Sequence, residues 1–310
     1  MMKRLVVALL SLGLVCASAA QAATSYVPIM FRQTSGTRPF VKAMLNGKPL
    51  LMMVHANAAL YLMTTHANAA SVGIGELAKD ADYGITSPGH VSPLGLSKTV
   101  LRSLLVAGPT AHDVPLQVFE VPQDPPMDGM LGIDWLRDQK VIVDYDSGRL
   151  GIPDTVADAR AEDAKLVAKG YVSHKMIWDP SVDRYKINGS FGGVPVTFTI
   201  STVSHNVVDK NLADHLGFAL GPVVDEEGGP QGALVPAYIV KRPLPATVDG
   251  QAVAAMQPWS YDIAGYASEK PHAAISVTFV LGADFMLANN AVIDFATETL
   301  LLPRLPEKAS

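Results

Sequence analysis

The sequence predicts a mainly β protein with a few short helices, folded as two lobes related by a pseudo-two-fold axis. Two observations carry this expectation. Leu131-Gly132-Ile133-Asp134-Trp135-Leu136 recurs as Leu281-Gly282-Ala283-Asp284-Phe285-Met286, an offset of 150 residues that holds without a gap to Pro153 and Pro303. A repeat of this length indicates one duplicated unit, since a solenoid needs three or more short copies. The rest of the chain is a series of short β-branched runs broken by 25 glycines and 22 prolines, a pattern of strands and turns with little helix.

The elements follow in chain order. Residues 1–22 read as an export signal: Lys3-Arg4 is the positive end, Leu5 to Val15 the apolar run, and Ala20-Gln21-Ala22 the small-residue cleavage site. The apolar run is shorter than the about 20 residues a bilayer span needs, so a periplasmic or secreted protein without stable membrane insertion is expected. Residues 23–153 form the first unit. Strand-like runs at Tyr26 to Arg32 and Phe40 to Leu45 lead to Asn46-Gly47, whose residues both accept the positive φ of a type I′ turn, and Leu50 to Val54 returns from it. A short helix then ends near Gly73, a natural stop.

Residues 154–170 read as a linker helix, rich in Ala, Asp and Lys and closed by Gly170. Residues 171–304 form the second unit, with the same plan: Arg184 to Ile187, a turn at Gly189 to Gly193, the strand Val194 to Ile200, and a helix from Val208 to Leu216 closed by Gly217. Asp82 to Pro93 reads as a flap, Pro122 to Pro126 and Glu226 to Gly232 as irregular loops, and 305–310 as a tail.

Composition narrows the chemistry. Cys16, the sole cysteine, lies inside the signal, so the exported chain has no disulfide, thiolate-bound metal or cysteine nucleophile. Its 49% apolar content must supply the core alone. Loss of Lys3 and Arg4 moves the net charge from -5 to about -7. With no dense Lys/Arg cluster, a nucleic-acid partner is not expected.

The two Leu-Gly-x-Asp segments, each followed by an Ile-Val-Asp-Tyr or Val-Ile-Asp-Phe strand and preceded by a hairpin such as Leu45-Asn46-Gly47-Lys48-Pro49-Leu50, resemble the aspartic peptidase fold, specifically its retropepsin-like exported bacterial members. The resemblance covers nearly all of residues 24–304 and implies a bilobal, aspartic-peptidase-like architecture. It also implies an aspartate, a hydroxyl residue and a glycine at the end of one strand in each lobe. The two aspartates, about 3 Å apart, share a proton so that one acts as acid while the other activates water.

Neither acid is present. The first motif position reads His55-Ala56-Asn57-Ala58 after Met52-Met53-Val54. The second follows Phe198-Thr199-Ile200 and reads Ser201-Thr202-Val203-Ser204-His205. Counting from the hairpin glycine places the missing acid at Ser201, whereas counting back from Gly217 places it at Thr199; Ile200 lies between, and none is a carboxylate. The degenerate positions are thus His55, Ala56, Asn57, Ser201, Thr202 and Val203, with no catalytic residue assigned.

The expected function is a non-catalytic, pseudopeptidase-like protein of the cell envelope that holds an extended peptide or protein segment in its cleft. Candidate binding residues are His55, Asn57, Ser201, Ser204, His205, Trp259 and Tyr261. No cofactor or metal is expected, because His55 and His66 lack the further ligands zinc requires. Asp134 and Asp284 are read as helix caps, and Asp144 and Asp294 as strand-end turn residues. Two alternatives stand beside this: a hydrolase with a site rearranged around His55 and a carboxylate from elsewhere, and a scaffold with a closed cleft. Ligand identity and oligomeric state are left open.

Overall fold

The structure is a computed structural model that describes residues 24–33, 37–122, 126–229, 231–267 and 278–305. The expected signal segment lies outside these residues, as do all but the first residue of the expected tail and part of the two expected loops. The described chain is mostly β with six short helices, arranged as two lobes joined by a shared sheet.

Local chemistry explains the first lobe. Strands Thr37–Leu45 and Lys48–Val54 form a hairpin turned at Asn46 (φ 47°) and Gly47 (φ 82°), a type I′ pair whose twist matches the flanking strands. Strand Gly129–Leu131 lies between Lys48–Val54, which it pairs in parallel, and Leu62–Thr64, which it pairs antiparallel. The second lobe repeats this plan: Phe279–Leu281 lies between Val194–Ile200 (parallel) and Val207–Asp209 (antiparallel). The helix expected over Val208 to Leu216 is therefore shorter, Lys210–His215, because buried Val207 and Val208 complete this sheet first. Glu226 to Gly228 likewise belong to the strand Leu220–Gly228 rather than to a loop, paired against Leu234–Val240.

A six-stranded sheet joins the lobes, and its centre carries the symmetry of the repeat. Val143 faces Ile293, its own counterpart at the 150-residue offset, while Ile142 faces Asp294 and Asp144 faces Val292. On either side the Tyr145 and Phe295 amides donate reciprocally to the Ala291 and Val141 carbonyls, both at 3.0 Å. The pseudo-two-fold axis thus passes through the Val143–Ile293 pair. Around it one apolar cluster runs through both lobes, including Val143, Tyr145, Ile293 and Phe295.

A helix over Val156–Ala168 covers this sheet, opened by a capping box in which the Thr155 hydroxyl and the Asp158 carboxylate bond each other's backbone amides. Its Asp163 meets one of the strand-end aspartates. In the first copy Asp144 accepts from the Ser147 amide (2.8 Å) and from Arg149 Nε (3.1 Å). In the second, Asp294 accepts from the Ala296 and Thr297 amides, but Thr299 replaces the arginine. Asp163 accepts from the Thr297 and Thr299 hydroxyls there, and burial, then the Asp163 charge, push the Asp294 carboxyl upward.

Candidate functional site

The floor between the two lobes is built by the two parallel strand pairs. The His55 amide donates to the Leu131 carbonyl and the Ser201 amide to the Leu281 carbonyl, each at 2.9 Å. With Val54 opposite Leu131 and Ile200 opposite Leu281, His55 and Ser201 hold equivalent places, which chooses Ser201 over Thr199 and Ile200. The two-residue ambiguity has a physical source. The chain from the floor to the following helix runs from His55 to His66 in one lobe and from Ser201 to Lys210 in the other, shorter by two residues.

Both floor loops rest on the glycines of the repeated motif. The Ile133 amide donates to the Ala58 carbonyl (2.9 Å) and the Ala283 amide to the Ser204 carbonyl (2.8 Å). A β-carbon at Gly132 would collide with the Leu60 carbonyl oxygen and come within 2.8 Å of that of Ala58, and one at Gly282 would collide with the Ser204 and His205 carbonyls. These are close backbone approaches that only glycine permits.

One hydroxyl ties the loops together. Buried Thr202 Oγ1 accepts from the Ala56 amide (2.9 Å) and donates to the Val54 carbonyl (2.7 Å). Ala56 occupies the twin position and has no hydroxyl to return the bond. Val203 packs into a first-lobe cluster with Phe40, Met53, Met63 and Phe119, and the Tyr145 hydroxyl donates to the Thr202 carbonyl (3.3 Å). The floor is thus a bonded, packed unit drawn from both lobes.

At the positions where an acid pair is expected, each side chain faces its own loop. His55 Nδ1 accepts from the Asn57 amide (3.2 Å), and Ser201 Oγ from the Val203 (3.3 Å) and Ser204 (3.2 Å) amides. With Nδ1 accepting, the neutral imidazole carries its proton on Nε2. Burial, then the positive charges of Arg184 and Arg38, lower the His55 pKa to about 3, which keeps the ring neutral across the usual range. Among the described residues no carboxylate lies within hydrogen-bond reach of it.

This shift gives a signed expectation. The unfolded chain takes up a proton on His55 below about pH 6.5, whereas the folded chain resists it until about pH 3. Folded stability from this residue is therefore lost as pH falls through that window. His55→Asn, whose side-chain oxygen can still accept from the Asn57 amide, is expected to flatten the dependence of unfolding free energy on pH between those limits. An unchanged slope in denaturant titrations would contradict it.

His205 Nδ1 pairs with Asp284 Oδ2 at 2.7 Å, and its ring stacks on Trp259 at 4.2 Å and 10°. Tyr261 lies against Tyr266 (5.7 Å), and the Ser204 hydroxyl is buried. The capping role expected for Asp134 and Asp284 is not found: the caps are Gly132 and Gly282, which have no side chain to bond, and Asp284 bonds His205 instead. His66 opens the helix His66–Ser71 and meets Glu120 Oε1 at 3.0 Å. No group of three or more His, Cys, Asp or Glu residues that could hold a metal occurs among the described residues.

Four residues that the sequence did not single out line the same region. Arg38 and Arg184 act on His55 from the two lobes, Tyr83 stacks edge-on against Phe119 (5.0 Å) beside Arg184, and Glu227 feels His205 and Arg38. Above them the hairpin of Ile85–Ser87 and His90–Val91, within the expected flap, reaches the second lobe: Gly228 sits against Pro88 and Gly232 against Val91. The arginines had a readable signal, since each precedes its floor position by 17 residues, Arg38 before His55 and Arg184 before Ser201.

The chain matches no protein-family model and no curated protein. Its structure is similar to the aspartic proteinase from Irpex lacteus, with 12% identity, a TM-score of 0.53, and coverage of 93% of this chain and 99% of the other. The retropepsin-like aspartic protease from Rickettsia conorii aligns with 43% of this chain and 93% of its own at 17% identity and a TM-score of 0.31. Basic 7S globulin from soybean aligns over 91% and 95% at 12% identity and a TM-score of 0.46. Such identities speak for the fold alone, and the Irpex lacteus enzyme carries that conclusion: the chain has the pepsin-like bilobal fold.

Proposed function

We propose that this protein is a catalytically silent aspartic-peptidase-like protein of the cell envelope that holds an extended peptide or protein segment between its lobes. The observation that carries the proposal is the state of the floor. His55 and Ser201 stand where a carboxylate pair would be needed, and both bond their own loops, while the frame around them is kept. A cleft of this kind suits an extended chain bound by strand-type pairing and side-chain pockets. Export rests on the signal-like segment of residues 1–22.

The test is to present the purified protein with a diverse peptide library from about pH 3 to about pH 8, spanning the carboxylate and histidine titration ranges, and to record retained and cleaved peptides together. Retention without cleavage is expected. Cleavage that disappears in His55→Ala would instead establish the rearranged hydrolase, which lacks the carboxylate partner it requires among the described residues. The closed scaffold is favoured by one feature, the contact of Pro88 with Gly228 across the cleft. It expects neither retention nor cleavage.

A further inference from the structure

In the hairpin registers Phe40 faces Met53 and Lys186 faces Thr199. Arg38 and Arg184 each lie two residues beyond that last pair, where their strand partners are Arg32 and Asp179. The arginines therefore hold equivalent places in the two lobes, each two residues beyond the last paired residues of its hairpin.

Both charges are felt in the cleft. Arg184 and Arg38 act together on the His55 ring; Arg184 also acts on Tyr83, and Arg38 on Glu227 and Tyr266. Arg184 is largely removed from water. Its guanidinium donates from Nη1 to the Asp183 carbonyl at 2.8 Å, and no carboxylate among the described residues is within ion-pair distance of it. The acid that acts on it is Asp183, adjacent in sequence. A desolvated guanidinium is costly without a counter-charge, and its planar fork matches a carboxylate through two parallel hydrogen bonds.

We infer that the cleft selects peptides presenting a carboxylate to Arg184, an inference that rests on the peptide-binding function proposed above. The floor carries no acid at His55 or Ser201, while the charges of two arginines act on the His55 ring. Neutral His55, on which both charges act, adds an Nε2–H donor to the same anion.

The experiment uses pairs of fluorescent extended peptides, N-acetylated and C-amidated, that differ only by Glu against Gln, titrated with the purified protein at about 50 mM and about 500 mM salt. The Glu member is expected to bind at least about 10-fold tighter at the lower salt, with the ratio shrinking at the higher. In Arg184→Gln the ratio should fall to about 1, whereas Arg184→Lys, which keeps the charge but not the fork, should retain part of it. Peptides with a free C-terminus and no acidic side chain separate the terminal carboxylate from the side-chain one as the source. Equal binding of Glu and Gln members overturns the carboxylate inference and leaves peptide binding standing. No binding by either member of any pair overturns both.

Discussion

Gly282→Ala and Gly132→Ala are expected to destabilise the fold severely, each by about 3 kcal/mol or more, because the added methyl meets backbone rather than a movable side chain. At Gly282 the obstacle is the pair of carbonyls of Ser204 and His205, and at Gly132 it is Leu60 and Ala58. Neither glycine has positive φ (-89° and -88°), so the cost is crowding and not backbone strain. The floor loop would have to lift, breaking the Ala283-to-Ser204 or Ile133-to-Ala58 hydrogen bond. Gly75 is the control: nothing lies within 4 Å of a β-carbon there, and Gly75→Ala should be neutral or slightly stabilising. Equilibrium denaturation of the three variants checks this, and similar values for Gly282→Ala and Gly75→Ala would contradict it.

Thr202→Val should cost about 2–4 kcal/mol, as valine keeps the shape but removes the hydroxyl that serves two buried backbone groups. Both bonds cross from the second lobe to the first, to the Ala56 amide and the Val54 carbonyl. Thr202→Ser, which keeps the hydroxyl and loses only a methyl, should recover most of the stability. Ser201→Ala is a useful contrast, since its two bonds stay within one loop at 3.2–3.3 Å. A Thr202→Val effect below about 1 kcal/mol, or one matched by Thr202→Ser, would show that the hydroxyl bridge does not hold the lobes together.

What could be read from the sequence was chiefly local or repeated. Asn46-Gly47 announced its hairpin because a type I′ turn depends on its own two residues. The Leu-Gly-x-Asp segments announced the bilobal fold because duplication leaves two copies to compare. The reason for their glycines stayed hidden, since Gly132 meets Leu60 and Gly282 meets Ser204 only in the folded chain. Asp284 looked like a cap for the same reason: its partner, His205, is far away in sequence. The substitution at Ser201 was visible only to within two residues, because the connection after it is shorter than the one after His55. Arg38 and Arg184 were not legible although their spacing is regular, since their charges reach His55 only in the folded chain. Asp144 and Asp294 occupy the strand-end turns assigned to them, yet the exchange of Arg149 for Thr299 gave no hint that Asp163 would fill the gap.

On the function proposed above, the peptidase frame persists here without peptidase chemistry. Incubating the protein with peptides it retains, in water enriched in ¹⁸O, tests it most directly, since water attack at an amide labels each new C-terminal carboxylate. The expected result is peptides recovered intact and unlabelled from the cleft at every pH tested. Labelled fragments produced by the native protein and absent with His55→Ala would contradict the claim.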